Sequence, residues 1–123
     1  MKKLYIAEDQ PLQVALLRAA FEAEKNYRTV FFSDGLELYL AVQESPPDML
    51  LLDIIMPSLS GLAITRLLKY HDRFSRLPVL VMSSITEADI REKAARAGAD
   101  FFLPKPFDMK ELLQQVKRLI TRD

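Results

Sequence analysis

Met49-Leu50-Leu51-Leu52 is an unbroken apolar run that stops at Asp53. A strand whose successive residues are all apolar has both faces buried, as in a parallel sheet covered by helices. Three more short runs behave alike. Leu4-Tyr5-Ile6-Ala7 leads into Glu8-Asp9, Val79-Leu80-Val81-Met82 into Ser83, and Phe101-Phe102-Leu103 into Pro104-Lys105. In a parallel sheet all C-terminal strand ends lie along one edge, where open α/β folds place their sites. Three carboxylates, a hydroxyl and an ammonium are therefore expected to converge on one crevice.

Helical patterns fill the gaps between the runs, so the chain reads as stacked βαβ units. Pro11 suits the first position of a helix that is expected to turn Leu12, Ala15, Leu16, Ala19 and Ala20 inward. Tyr27 to Phe32, rich in β-branched and aromatic residues, reads as an edge strand. Asp34 caps a second helix, with Glu37 at the acidic position of a capping box, and Ser45-Pro46-Pro47 ends it. Ser60 caps a third helix from Gly61 to about His71, and Asp72 to Leu77 reads as a polar connection. Thr86 is expected to cap the fourth helix and Gly98 to close it in the left-handed conformation. Asp108 caps the fifth, whose Leu112, Leu113, Val116, Leu119 and Ile120 form a 3.6-period stripe. The expected fold is α/β: a doubly wound, flavodoxin-like (βα)5 domain over residues 1–123, with a five-stranded parallel sheet in the order 2-1-3-4-5. In that order the first and third strands flank the switch point, and Glu8-Asp9 stands beside Asp53.

Composition narrows the function. The 123 residues fit one domain with a real core. Seventeen basic and seventeen acidic residues cancel, so no bulk field attracts nucleic acid or an anionic membrane, although a local patch is compatible with that balance. Without cysteine there is no disulfide frame, thiol nucleophile or zinc-thiolate site. The apolar stretch after Lys2-Lys3 stops at Glu8, short of the roughly 7–15 residues of a secretory h-region, so export is not expected. No run approaches the roughly 20 residues of a transmembrane helix.

Each site residue has an ordinary reading when taken alone. Adjacent acids after a strand are common, and a serine or a lysine there means little. Together they resemble, over essentially the whole chain, the receiver domain of bacterial two-component response regulators. The resemblance is carried by Glu8-Asp9, Asp53-Ile54-Ile55-Met56-Pro57, Gly61, Pro78 to Ser83 and Lys105-Pro106-Phe107, in order and at matching strand ends. It implies that Asp53 accepts a phosphoryl group from a histidine kinase or histidine phosphotransfer protein. It implies Mg²⁺ (or Mn²⁺) held by Glu8, Asp9, Asp53 and the backbone carbonyl of Ile55, a hard ion suited to oxygen ligands. Lys105 and Ser83 would meet phosphoryl oxygens. Ser83 and Phe102 would couple phosphorylation to the face made by the fourth helix, fifth strand and fifth helix, and so to a downstream effector or linked output domain. The resemblance also implies a cis Lys105-Pro106 peptide, a cytoplasmic setting and no direct contact with nucleic acid or membrane, and it admits a phosphorylation-dependent dimer. Such a chain is a switch rather than an enzyme with turnover.

Departures from the family pattern carry their own expectations. Ile55, two residues past the acceptor, is bulky and apolar and is expected to shield an acyl phosphate from water. Ser84 follows Ser83 where a smaller residue is usual. Phe102 lacks the hydroxyl of the tyrosine often found there. Asp100-Phe101-Phe102 and Gln115 stand where the winged-helix subfamily pairs an acidic stretch with an arginine, so that subfamily's dimer is not expected. Among rivals, a Mg²⁺-dependent phosphatase wants a carboxylate two residues after its nucleophile, and Ile55 stands there. A flavin or nucleotide module wants a Gly-rich loop after the first strand, where none exists. The remaining alternative is a constitutive, non-phosphorylated interaction module on the same fold.

Overall fold

The four apolar runs and the stretch from Tyr27 to Phe32 form the five strands of the computed structural model, which describes residues 1–122. The order is β1 (Lys2–Ala7), α1 (Pro11–Glu24), β2 (Tyr27–Phe32), α2 (Gly35–Glu44), β3 (Met49–Asp53), α3 (Gly61–Lys69), a 3-10 turn (Asp72–Phe74), β4 (Val79–Ser83), α4 (Ile90–Ala97), β5 (Phe101–Pro104) and α5 (Met109–Ile120). The strands pair in parallel in the order β2-β1-β3-β4-β5, so β2 and β5 are the edges. The fold is the expected doubly wound, flavodoxin-like arrangement.

The period of two along each strand sorts the core into two layers. Tyr5, Ala7, Leu50, Leu52, Val79, Val81 and Phe102 point to the side covered by Leu38 and Val42 of α2, Ile64 and Leu68 of α3, and Ile90 and Ala94 of α4. Their neighbours Leu4, Ile6, Met49, Leu51, Leu80, Met82 and Leu103 point to the other side, under Leu17 and Phe21 of α1 and Leu112, Val116 and Leu119 of α5. Every residue of β3 and β4 is buried, which is why those runs show no polar alternation.

The caps mostly follow the sequence. Asp34 accepts from the backbone N–H groups of Leu36 and Glu37, Ser60 from Ala63, and Asp108 from Lys110. Gly98 closes α4 at φ 105°, and a Cβ there would lie 2.8 Å from Lys69 Cβ. Gly61 serves close approach instead: its N–H donates to the Ile54 carbonyl at 2.9 Å, and a Cβ would fall 2.3 Å from the carbonyl oxygen of Asp53. The start of α3 is thereby pressed against the end of β3.

Three local expectations are corrected. In α1 the inward residues are Leu17 and Phe21, with Val14 half-buried, while Leu12, Ala15, Leu16 and Ala19 are exposed. Two apolar stripes share the helical period there, and the larger Phe21 side chain wins the core. The fourth helix starts at Ile90, not after Thr86, because the Ser83 hydroxyl accepts from the Ile85 N–H at 2.9 Å and bends the chain first. The third helix ends at Lys69, two residues before His71, and Asp72–Phe74 forms a 3-10 turn that buries Phe74.

Candidate functional site

The C-terminal strand ends bring five polar groups to one edge of the sheet. Glu8 and Asp9 follow β1, Asp53 ends β3, Ser83 ends β4, and Lys105 follows β5. Lys105 Nζ donates to Glu8 Oε1 at 2.7 Å and to Asp53 Oδ2 at 2.8 Å. Glu8 is completely enclosed at its side chain, and Asp53 and Lys105 are nearly so, whereas Asp9 is exposed. The second oxygens are also held. Asp53 Oδ1 accepts from the Ile55 N–H at 3.2 Å, and Glu8 Oε2 from the Gln10 N–H at 3.3 Å. Two main-chain bonds tie the walls together, from Lys105 N–H to Ser83 O at 2.7 Å and from Ile54 N–H to Met82 O at 3.0 Å.

Electrostatics separates the partners. Burial pushes the Glu8 carboxyl above its ordinary range, against the hydrogen bond and charge of Lys105, and the nearby Asp53 charge adds to the rise. Burial also works against the Lys105 ammonium. Its hydrogen bonds to Asp53 and Glu8, with their charges, outweigh that and raise its pKa.

One oxygen from each of Glu8, Asp9 and Asp53 lies within 4.8 Å of the others. Three carboxylates face one ammonium, so the ionised cluster carries two uncompensated negative charges. A hard divalent cation with oxygen ligands has the charge and chemistry to offset them. The residues present fit such an ion.

A cleft of ≈ 400 Å³ opens over the cluster, with Asp53, Lys105, Ile55 and Ser84 in its lining. Ile55 projects there 59% exposed, free to cover the carboxylate. Ser83 is buried, and its oxygen is engaged by the Ile85 N–H. Phe102 stands apart from the cleft, 8% exposed beneath α4, with the Arg91 guanidinium 4.9 Å from its ring centre. The Lys105-Pro106 peptide is cis. Gln10 and Gln13, which sequence reading passed over, also line the cleft. Their i, i+3 spacing directly after the acid pair was the available signal.

The family model described as the response regulator receiver domain matches residues 4–117. The phosphate regulon transcriptional regulatory protein PhoB of Rhizobium meliloti is 32% identical over 122 residues, covering 99% of this chain and 53% of its own length. The polar-differentiation response regulator DivK of Brucella anthropi is 30% identical over 116 residues, 94% of each chain. The chain thus spans about half of PhoB and nearly all of DivK. Among solved structures, the receiver domain of a signal transduction histidine kinase from Syntrophus aciditrophicus superposes with a TM-score of 0.90 at 29% identity, over 98% of this chain and 91% of that one. The receiver domain of a sensor histidine kinase from Pseudomonas aeruginosa, solved with a magnesium ion coordinated in its active-site cleft, gives 0.87 at 25% identity, over 98% of both chains.

Proposed function

The chain belongs to the response regulator receiver domain family, and from that premise we propose that it is a phosphorylation-activated switch whose acceptor is Asp53. The observation that carries this reading is the Lys105 ammonium, bound at once to Asp53 at 2.8 Å and Glu8 at 2.7 Å beside an exposed Asp9. Residues 1–123 form a single receiver domain in this reading.

Glu8, Asp9, Asp53 and the Ile55 carbonyl would hold Mg²⁺ or Mn²⁺, as the charge imbalance and the magnesium-bound Pseudomonas relative support. When bound, such an ion supplies the positive charge that lets an anionic phosphoryl group approach an anionic carboxylate. The chain's own groups do the rest. A carboxylate oxygen of Asp53 bonds to phosphorus as the phosphorus–nitrogen bond of a phosphohistidine breaks, and the proton needed by the leaving imidazole comes from water. The product is an aspartyl phosphate. Lys105 exchanges its contact with the Asp53 carboxylate for one with a phosphoryl oxygen. Ser83 gives up its role as acceptor for the Ile85 N–H and donates its hydroxyl to another. That pulls on the segment between β4 and α4, which has no regular structure from Ser84 to Glu87. Phe102, packed under α4, carries the change to the face formed by α4, β5 and α5.

The donor is a histidine kinase or histidine phosphotransfer protein, and the receiver of the signal is an effector protein or linked output domain. The setting is cytoplasmic. Among the described residues, no helix is long and apolar enough to cross a membrane.

Intact mass spectrometry after incubation with a small phosphodonor and Mg²⁺ tests the reading. One added phosphoryl group is expected, absent in Asp53→Asn and without metal. No uptake, where a known receiver is modified in parallel, would leave a constitutive interaction module.

A further inference from the structure

Resting on the reading that Asp53 carries an acyl phosphate, we propose that Gln13 is a positioning residue for its hydrolysis. The Gln13 amide orients the water that attacks phosphorus, and so sets how long the switch stays on.

Gln13 stands in the first turn of α1, at the third position after the cap residue Gln10. An amide at that position ordinarily reaches back to the backbone N–H of the cap. Here that N–H donates to Glu8 Oε2 at 3.3 Å instead. Among the described residues, no hydrogen bond holds the Gln13 side chain. Side chains of a helix lean toward its N-terminus, which for α1 is the end that follows the acid pair. Gln13 accordingly lines the cleft with Asp53, Ile55 and Lys105. Gln10 and Ser84 share that lining, but both are exposed and lie outside the regular elements. Gln13 is half-buried and fixed to a helix, the better support for a group that must hold one direction.

Hydrolysis has a place for such a group. The water oxygen bonds to phosphorus as the bond between phosphorus and the Asp53 carboxylate oxygen breaks. The electron pair of that bond restores the carboxylate. One water proton stays on the attacking oxygen, and the other passes to a phosphoryl oxygen of the departing phosphate. The enclosed charges are already engaged, Lys105 with Asp53 and Glu8, and Glu8 with Lys105 and the Gln10 N–H. An amide carbonyl accepts from the water and turns its lone pair toward phosphorus, while the amide NH2 donates to a phosphoryl oxygen. Having no charge, the amide neither repels the phosphoryl group nor competes with Lys105. A glutamine that orients attacking water is a recurring part of phosphoryl transfer to water. Ile55, in the same lining, works in the opposite sense by covering the site. The phosphoryl lifetime then reflects the balance between the two.

Intact mass of the full chain, phosphorylated by a small donor and then freed of it, follows the loss of the phosphoryl group. Gln13→Met keeps the length of the side chain without the amide, and should slow that loss roughly tenfold. Uptake from the donor should be unaltered. So should cleavage by hydroxylamine, which attacks the acyl carbon, leaves a hydroxamate on Asp53 and needs no oriented water. Loss at the wild-type rate in Gln13→Met would overturn the proposal. Slower loss with equally slower hydroxylamine cleavage would overturn it too, since the side chain would then only govern access to the cleft. If Gln13→Met loses its far-UV circular dichroism, Gln13→Asn should slow the loss in the same selective way, its shorter amide falling short of the water. Wild-type protein that takes up no phosphoryl group would overturn the switch reading and this assignment with it. Uptake followed by a loss indifferent to Gln13 would overturn this assignment alone.

Discussion

The two ends of the sheet use the same residue types to opposite effect. At the C-terminal edge, Glu8, Asp9 and Asp53 share one ammonium, Lys105. At the N-terminal edge, one carboxylate, Asp100, is paired with two cations, Lys69 and Arg122. Its Oδ2 accepts from the Val79 N–H at 2.8 Å and from Lys69 Nζ at 3.0 Å, and its Oδ1 from Arg122 Nη2 at 3.0 Å. Lys69 also donates to the Leu77 carbonyl at 2.8 Å. Burial would raise the Asp100 pKa, but the bonds from Val79, Lys69 and Arg122 outweigh it and hold it below the ordinary range. Glu8 is shifted the other way, because burial there meets too little positive charge. A carboxylate whose charge is fully compensated acts as a clamp between elements. An under-compensated group of carboxylates keeps a demand for positive charge that a ligand can meet.

Asparagine substitutions break this comparison most directly. Asp53→Asn should abolish phosphoryl uptake in the mass assay and shift unfolding free energy by no more than about 1 kcal/mol, because it relieves like-charge repulsion. Asp100→Asn should leave uptake measurable and cost about 3 kcal/mol, since it strands Lys69 in a half-buried site. Equal destabilisation in urea titrations would refute the contrast.

Magnesium sharpens it. Saturating Mg²⁺ should stabilise the protein by roughly 1–3 kcal/mol through mass action, seen as a raised thermal midpoint. The gain should vanish in Asp9→Asn and persist in Asp100→Asn.

Acid separates the ends by sign. In metal-free protein, Glu8 binds its proton more readily folded than unfolded, so stability should rise as pH falls through its raised pKa. Asp100 is depressed, so its contribution is complete above the ordinary aspartate range and lost as pH falls through its folded value. Urea midpoints against pH should therefore pass through a mildly acidic maximum. Glu8→Gln should flatten the neutral limb and Asp100→Asn the acid limb.

The smallest effect concerns the cleft alone. Ile55→Asn should shorten the phosphoryl lifetime several-fold, by roughly 1 kcal/mol in the hydrolysis barrier. It should not alter stability, since Ile55 is 59% exposed. An unchanged lifetime would remove its shielding role.

Much of this was legible locally. The apolar runs ending at Glu8, Asp53, Ser83 and Lys105, the caps at Asp34, Ser60 and Asp108, and Gly98 in the left-handed region all act within a few residues, where propensity and sterics decide. Parallel pairing then forces the strand ends together, so the cluster's membership followed from four short stretches. What stayed hidden depended on partners distant in the chain. Either stripe of α1 could have faced inward until the sheet accepted Leu17 and Phe21. The late start of α4 turned on a hydroxyl in the loop before it. The Asp100 clamp joins residues 31 and 22 positions apart, and Arg91 reaches Phe102 only because α4 packs over β5. Backbone preference and burial pattern are written in neighbouring residues. Which charges end up compensated depends on the surroundings of all the groups at once, and only the folded chain settles that.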